Sequence, residues 1–123
     1  ISANLYYEQQ KSAARRRAKD FRERRLPKFL NYFESVLQRN PGGGPGMVGT
    51  RISYVDLSMA QVIAGLRYAF PLASRKSLRA CPRLRSLHDA VFARPRIRRY
   101  VASNRRLAFN NDDIFRRYRE LDG

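Results

Sequence analysis

The side chains that most often carry enzyme chemistry are sparse in this sequence. Its 123 residues include one cysteine, Cys81, and one histidine, His88, too few for a zinc finger, an iron–sulfur cluster or a disulfide scaffold. No Ser or Cys has a base at a recognisable spacing, so nucleophilic catalysis is not indicated. The glycine-rich segment 42–46 lacks the Gly-Lys-Ser/Thr that completes a phosphate-binding loop. The sequence therefore predicts no catalytic residue, no bound cofactor and no metal site.

Charge is the most unusual property of the sequence. Lys and Arg total 26 against 10 Asp and Glu, a net charge of +16, and 22 of these bases are Arg. Arg matches phosphate geometry, so the excess favours nucleic acid or another polyanion as a partner. A compositional Arg excess on a solvated surface is the alternative, because net charge speaks to association and not to fold. One dense stretch supplies the predicted basic patch: Arg94, Arg96, Arg98 and Arg99.

The elements that must position these side chains are helices. Apolar residues recur every three or four positions ahead of segment 40–46, and Pro27 should kink that long helix near Leu26. A wide apolar stripe predicts a central helix over Tyr54–Phe70. Pro82 and Pro95 fit the first positions of two further helices. No strand-like alternation of useful length occurs, so we predict an all-α bundle around the central helix.

The start of the central helix has a specific capping pattern. Ser53 fits the N-cap, and Asp56 fits the third helical position, from which it can reach back. Ile52 and Leu57 fit the hydrophobic staple around them. Each polar partner would satisfy an amide that otherwise has no acceptor, and losing the cap should cost about 1 kcal/mol. We therefore interpret Ser53 and Asp56 as structural residues.

Four motifs follow one another in the chain: a proline-kinked helix over 25–37, Met47-Val48-Gly49, the capped segment 52–57, and the helical stretch 82–103. In this order they resemble the C-terminal helical domain of cytosolic glutathione S-transferases. The resemblance implies an all-α domain over residues 1–103 that lacks the family's first helix of that domain. It also implies a C-terminal tail over 104–123 that packs on it. In the family the Ser–Asp capping box is a folding element.

The resemblance also bears on function. The family's catalytic residue and nearly all its glutathione contacts lie in an N-terminal thioredoxin-like domain, for which this sequence has no counterpart. We therefore expect a chain that is inactive alone and is a transferase only if that half is supplied. Leu107 and Phe109 lie where some members close the hydrophobic substrate site, although simple packing of the tail is the alternative. Because the first residue is Ile1, we expect a fragment, a processed product or a trimmed sequence.

A second function class remains open from the sequence. The helical domain could instead be a non-catalytic basic docking module in a larger protein–RNA or multisubunit assembly. Peripheral binding to anionic membrane through segment 11–25 is disfavoured, because the apolar face there is largely Ala. No apolar run approaches the roughly 18 residues of a membrane span. We expect a soluble, intracellular protein that needs a protein partner or the missing N-terminal half.

Overall fold

The computed structural model describes residues 6–123, and its regular structure within that range is helical. Ile1, on which the expectation of a fragment rests, lies outside these residues. The helices are α1 (Tyr7–Asp20), α2 (Leu26–Gln38), α3 (Tyr54–Ala69), α4 (Pro71–Leu78), α5 (Pro82–Ala93) and α6 (Pro95–Val101). A π-helical turn (Phe21–Arg25) lies between α1 and α2, and a 3₁₀ turn (Arg119–Leu121) follows α6 near the C-terminus. Residues 6–123 contain no strand, so the predicted all-α class is confirmed.

A π-helical turn joins α1 and α2 where the sequence predicts a kink. Pro27 has no backbone N–H, so it cannot continue the ordinary hydrogen-bond pattern of an α-helix. The backbone N–H of Leu26 reaches the carbonyl of Phe21, five residues earlier, which widens the helix by one residue. The new α-helix α2 then begins at Leu26 with Pro27 in its first turn. The turn changes the direction of the chain, and α2 packs on α4 and α5.

The hydrophobic core lies around α3, which packs against both α4 and α5. Ile63 of α3 and two leucines of α5, Leu84 and Leu87, belong to this core, and all three side chains are buried. Full burial of such an aliphatic side chain contributes about 1.5–3 kcal/mol. Leu30 and Leu37 of α2 extend the same core. Helix α3 is therefore the central element, as the apolar stripe predicts.

Aromatic side chains of the C-terminal residues pack on the helical bundle at two places. Phe109 stacks on Tyr68 of α3 with ring centroids 5.2 Å apart. Phe115 lies so close to Gly65 that a Cβ there would be 2.4 Å from its ring, so only glycine admits this contact. Tyr118, just before the 3₁₀ turn, stacks on Tyr7 of α1 with centroids 4.0 Å apart. The division of the chain at residue 103 stays a prediction.

None of the helices within residues 6–123 combines the length and the apolarity that a membrane span requires.

Candidate functional site

The carboxylate of Asp56 lies wholly inside the protein at the start of α3. Its Oδ2 accepts the backbone N–H of Ser53 at 2.8 Å, and its Oδ1 accepts the backbone N–H of Met47 at 2.9 Å. Ser53 and Asp56 form a capping box. Gly46 makes this approach possible, because a Cβ there would lie 2.3 Å from Oδ2. Asp56 therefore joins the loop ahead of α3 to the helix, which is more than a local cap does.

Glu34 is a second buried carboxylate, and the sequence analysis missed it. It projects from α2, and its two oxygens accept the backbone N–H groups of Arg83 and Leu84 at 2.9 Å each. These amides form the first turn of α5, where the helix dipole favours a negative charge. The signal in the sequence is an acid on an apolar face, since Glu34 lies between Leu30 and Leu37 at helical spacing.

Asp122 caps α4 from the other end of the chain. Its Oδ2 accepts the backbone N–H of Leu72 at 2.8 Å, and its Oδ1 accepts that of Ala73 at 3.1 Å. Its neighbour Glu120 accepts the phenol hydrogen of Tyr7 at 2.6 Å. No sequence signal could have identified Asp122, because 49 or 50 residues separate it from the amides that it caps. The tail is thus tied to both α1 and α4 by polar contacts.

The pKa values of the two titratable groups in this tie move in opposite directions. Burial and then the hydrogen bond from the phenol to Glu120 raise the pKa of Tyr7 to about 12. The same hydrogen bond from Tyr7 lowers the pKa of the Glu120 carboxyl. At neutral pH the phenol is therefore a donor and the carboxylate an acceptor, so the contact is complete.

The two tail residues considered for the substrate side occupy different environments. Leu107 is 83% exposed. Phe109 packs within its own chain, because it stacks on Tyr68 and meets the edge of Phe115 with centroids 6.0 Å apart. The Arg106 guanidinium lies 5.3 Å from the centroid of the Phe109 ring. Leu107 therefore offers free apolar surface, whereas Phe109 stabilises the return of the tail.

The basic patch of the sequence analysis lies on and beside α6. Arg94 is the N-cap of this helix, and the three other arginines of the patch lie inside it. All four side chains are exposed. Helical spacing places Arg94 and Arg98 on one side of α6, and Arg96 and Arg99 on another. None of the four pairs with a carboxylate in the described part of the chain. The patch is a solvated positive surface with two faces.

Cys81 and His88 are not arranged as a catalytic pair. Cys81 is fully buried at the start of α5, and burial followed by the Glu34 carboxylate raises the pKa of its thiol. His88 has other partners: its Nδ1 lies 3.2 Å from Nη1 of Arg67 and 3.0 Å from Oδ1 of Asp89. Across residues 6–123, no three metal-ligating side chains come together. These two residues therefore belong to the helical packing.

The fold and these buried carboxylates define a class of protein: an all-helical bundle with a capped central helix. The chain belongs to the family of glutathione S-transferase C-terminal domains, whose family model matches residues 1–104. Over 88 residues it is 35% identical to glutathione S-transferase P 1 of Xenopus laevis. That match covers 72% of this chain and 40% of the relative, so the chain spans less than half of the relative's length. The family resemblance of the sequence analysis is confirmed.

Proposed function

We propose that this chain is the helical, electrophile-side half of a glutathione transferase. The observation that carries the proposal is the family match over residues 1–104, joined by the similarity to a transferase of which the chain covers 40%. A thioredoxin-like half then binds glutathione and supplies the group that activates its thiol. The family resemblance also supports an intracellular location.

The chemistry of the described residues supports inactivity of this chain alone. Glutathione reacts as a thiolate, so an enzyme must lower the pKa of its thiol with a nearby donor or positive charge. The Tyr7 hydroxyl already donates to Glu120, and its pKa of about 12 makes it a poor source of that stabilisation. The Cys81 thiol is buried, and His88 is occupied by Arg67 and Asp89. The chain therefore forms and positions the electrophile side of the site, and the group that activates glutathione belongs to the thioredoxin-like half.

The test is to compare this chain alone with a chimera that joins it to the thioredoxin-like half of a pi-class transferase. Conjugation of glutathione to 1-chloro-2,4-dinitrobenzene is followed by absorbance. We expect the uncatalysed rate with the chain alone and with the thioredoxin-like half alone, and turnover with the chimera. Catalysis by the chain alone, or a folded chimera without turnover, would contradict the proposal.

Leu107 and Phe109 can be tested in the same chimera. If they close the substrate site, Leu107→Ala and Phe109→Ala raise the KM for the electrophile and leave the KM for glutathione unchanged. If the tail only packs, Phe109→Ala lowers the melting temperature while both KM values stay as they are. Leu107→Ala is the cleaner of the two variants, because its side chain is 83% exposed and its loss does not disturb packing.

A docking module that binds RNA through α6 is the second candidate function. The exposed arginines of the basic patch, which have no carboxylate partner in residues 6–123, favour it. Because these arginines point to two sides of α6, two or three of them would meet phosphate at once. Replacing all four with Gln should then reduce the logarithmic salt slope of RNA binding by about 2. Equal slopes for the wild type and this variant would exclude the docking role.

A further inference from the structure

A surface hollow of about 590 Å³ lies between the end of α3, α4 and the start of α5. Pro71 and Leu78 form its apolar part. The rest of its lining consists of four arginines from α3, from α4 and its C-cap, and from α5: Arg67, Arg75, Arg79 and Arg85. This cluster is distinct from the basic patch on α6.

Helix packing explains why four arginines meet here. Arg75 lies in α4, and Arg79 follows four positions later as the C-cap of that helix with helical backbone angles, so the two lie on the same face. Arg67 comes from the last turn of α3, and Arg85 lies near the start of α5. The side chain of Leu78 is buried in the core beneath them, which fixes α4 against its neighbours. The arginines are therefore mounted on a rigid surface.

The positive charge of the hollow is not neutralised within the described part of the chain. No carboxylate lines the hollow, and none of its four arginines forms an ion pair in residues 6–123. Nη1 of Arg67 lies 3.2 Å from Nδ1 of His88, a side chain that carries no negative charge. Like charges held around a concave surface raise the local concentration of anions. Guanidinium forks match the oxygens of phosphate.

A second hollow of about 270 Å³ adjoins the first and shares Pro71 and Arg75 with it. Arg117 and Arg119 of the tail contribute to its lining. Its one carboxylate is that of Asp122, whose oxygens already accept two backbone N–H groups of α4. Positive charge therefore continues from one hollow into the next across Arg75. This arrangement suits a ligand that carries several linked anionic groups.

We propose that these two hollows, which we call the arginine cleft, bind an oligophosphate group of two or more linked phosphates. No aromatic ring lines either hollow, so a nucleobase would find no stacking surface there. The phosphate chain itself therefore carries the recognition. This binding is independent of the transferase chemistry proposed above, since it uses neither glutathione nor the thioredoxin-like half.

Calorimetric titration of the full chain with sodium tripolyphosphate tests the proposal. We expect one saturable site whose affinity falls tenfold or more in Arg75→Gln/Arg79→Gln. The matched control is Arg96→Gln/Arg98→Gln. It removes the same number of positive charges, but from α6, and should change the affinity less than threefold. Both variants replace exposed side chains, so unchanged circular dichroism melting is expected and confirms that they fold. ATP should bind within about threefold of tripolyphosphate.

Three results would overturn the proposal. The first is the absence of saturable binding by the wild type at low salt, and the second is an equal loss in both variants, which would indicate only net charge. The third concerns a single-stranded RNA oligomer. If the oligomer and tripolyphosphate compete for one site, and only the α6 variant weakens both ligands, the anion site lies on the basic patch and the arginine cleft does not bind oligophosphate.

Discussion

Replacing Asp56 with Ala should destabilise this domain far more than a helix cap ordinarily does. The carboxylate is fully buried and accepts backbone N–H groups from Met47 and Ser53. In Asp56→Ala the buried Met47 amide and the half-buried Ser53 amide both lose their acceptor. A hydrogen bond to a charged group contributes about 1.5–3 kcal/mol. The loss of two such bonds should lower the free energy of unfolding by roughly 3–6 kcal/mol, a large fraction of the ~5–15 kcal/mol of a typical domain.

Two neighbouring variants make this expectation quantitative. Ser53→Ala leaves both backbone bonds to Asp56 in place, so its cost should be about 1 kcal/mol. Gly46→Ala places a Cβ 2.3 Å from Oδ2 and should displace the carboxylate, at a cost of about 1–3 kcal/mol. The expected order of destabilisation is Asp56→Ala, then Gly46→Ala, then Ser53→Ala. The order follows from how many buried amides each change leaves unpaired.

Urea unfolding followed by far-UV circular dichroism measures these differences at constant pH and salt. Asp112→Ala serves as the matched control, because it makes the same substitution at an exposed position in the tail. Its free energy of unfolding should stay within about 0.5 kcal/mol of the wild type. If Asp56→Ala costs less than 1 kcal/mol, or less than Ser53→Ala, the reasoning from buried amides is wrong.

Three further predictions follow from the other polar contacts. Glu34→Gln keeps one acceptor but loses the charge at the start of α5, so unfolding by urea should show a loss of about 1–2 kcal/mol. The pKa of Tyr7 is raised to about 12, so the neutral phenol stabilises the fold. The contribution of the phenol to the free energy of unfolding should be complete below pH 10 and be lost as the pH rises toward 12. Comparing the alkaline unfolding of the wild type with that of Tyr7→Phe measures this loss. Equal alkaline profiles for the two proteins would contradict this. The buried Cys81 thiol, whose pKa is raised by burial and by Glu34, should react with a thiol reagent only after local opening. Sub-denaturing urea should therefore speed the reaction, and immediate stoichiometric labelling would contradict its burial.

Local sequence patterns were sufficient to establish the class of this protein. The kink near Leu26 is predictable because Pro27 acts on its own helix through a missing N–H and a clash with the preceding turn. The central helix is predictable because its apolar residues repeat with the period of the helix itself. Ser53 and Asp56 are recognisable as partners because they lie only three residues apart. The ordered set of such motifs was enough to recognise the family.

Tertiary structure alone decided the contacts between distant residues. Glu34 accepts hydrogen bonds from amides 49 and 50 residues later in the sequence, and Asp122 accepts them from amides 49 and 50 residues earlier. The full cost of losing Asp56 also became visible only when Met47 was found on its second oxygen. The sequence shows a general excess of Arg, whereas the fold brings particular arginines from three helices around one hollow. The physical reason is that capping and periodicity act within a turn or two of helix, while a long-range contact depends on how whole helices pack.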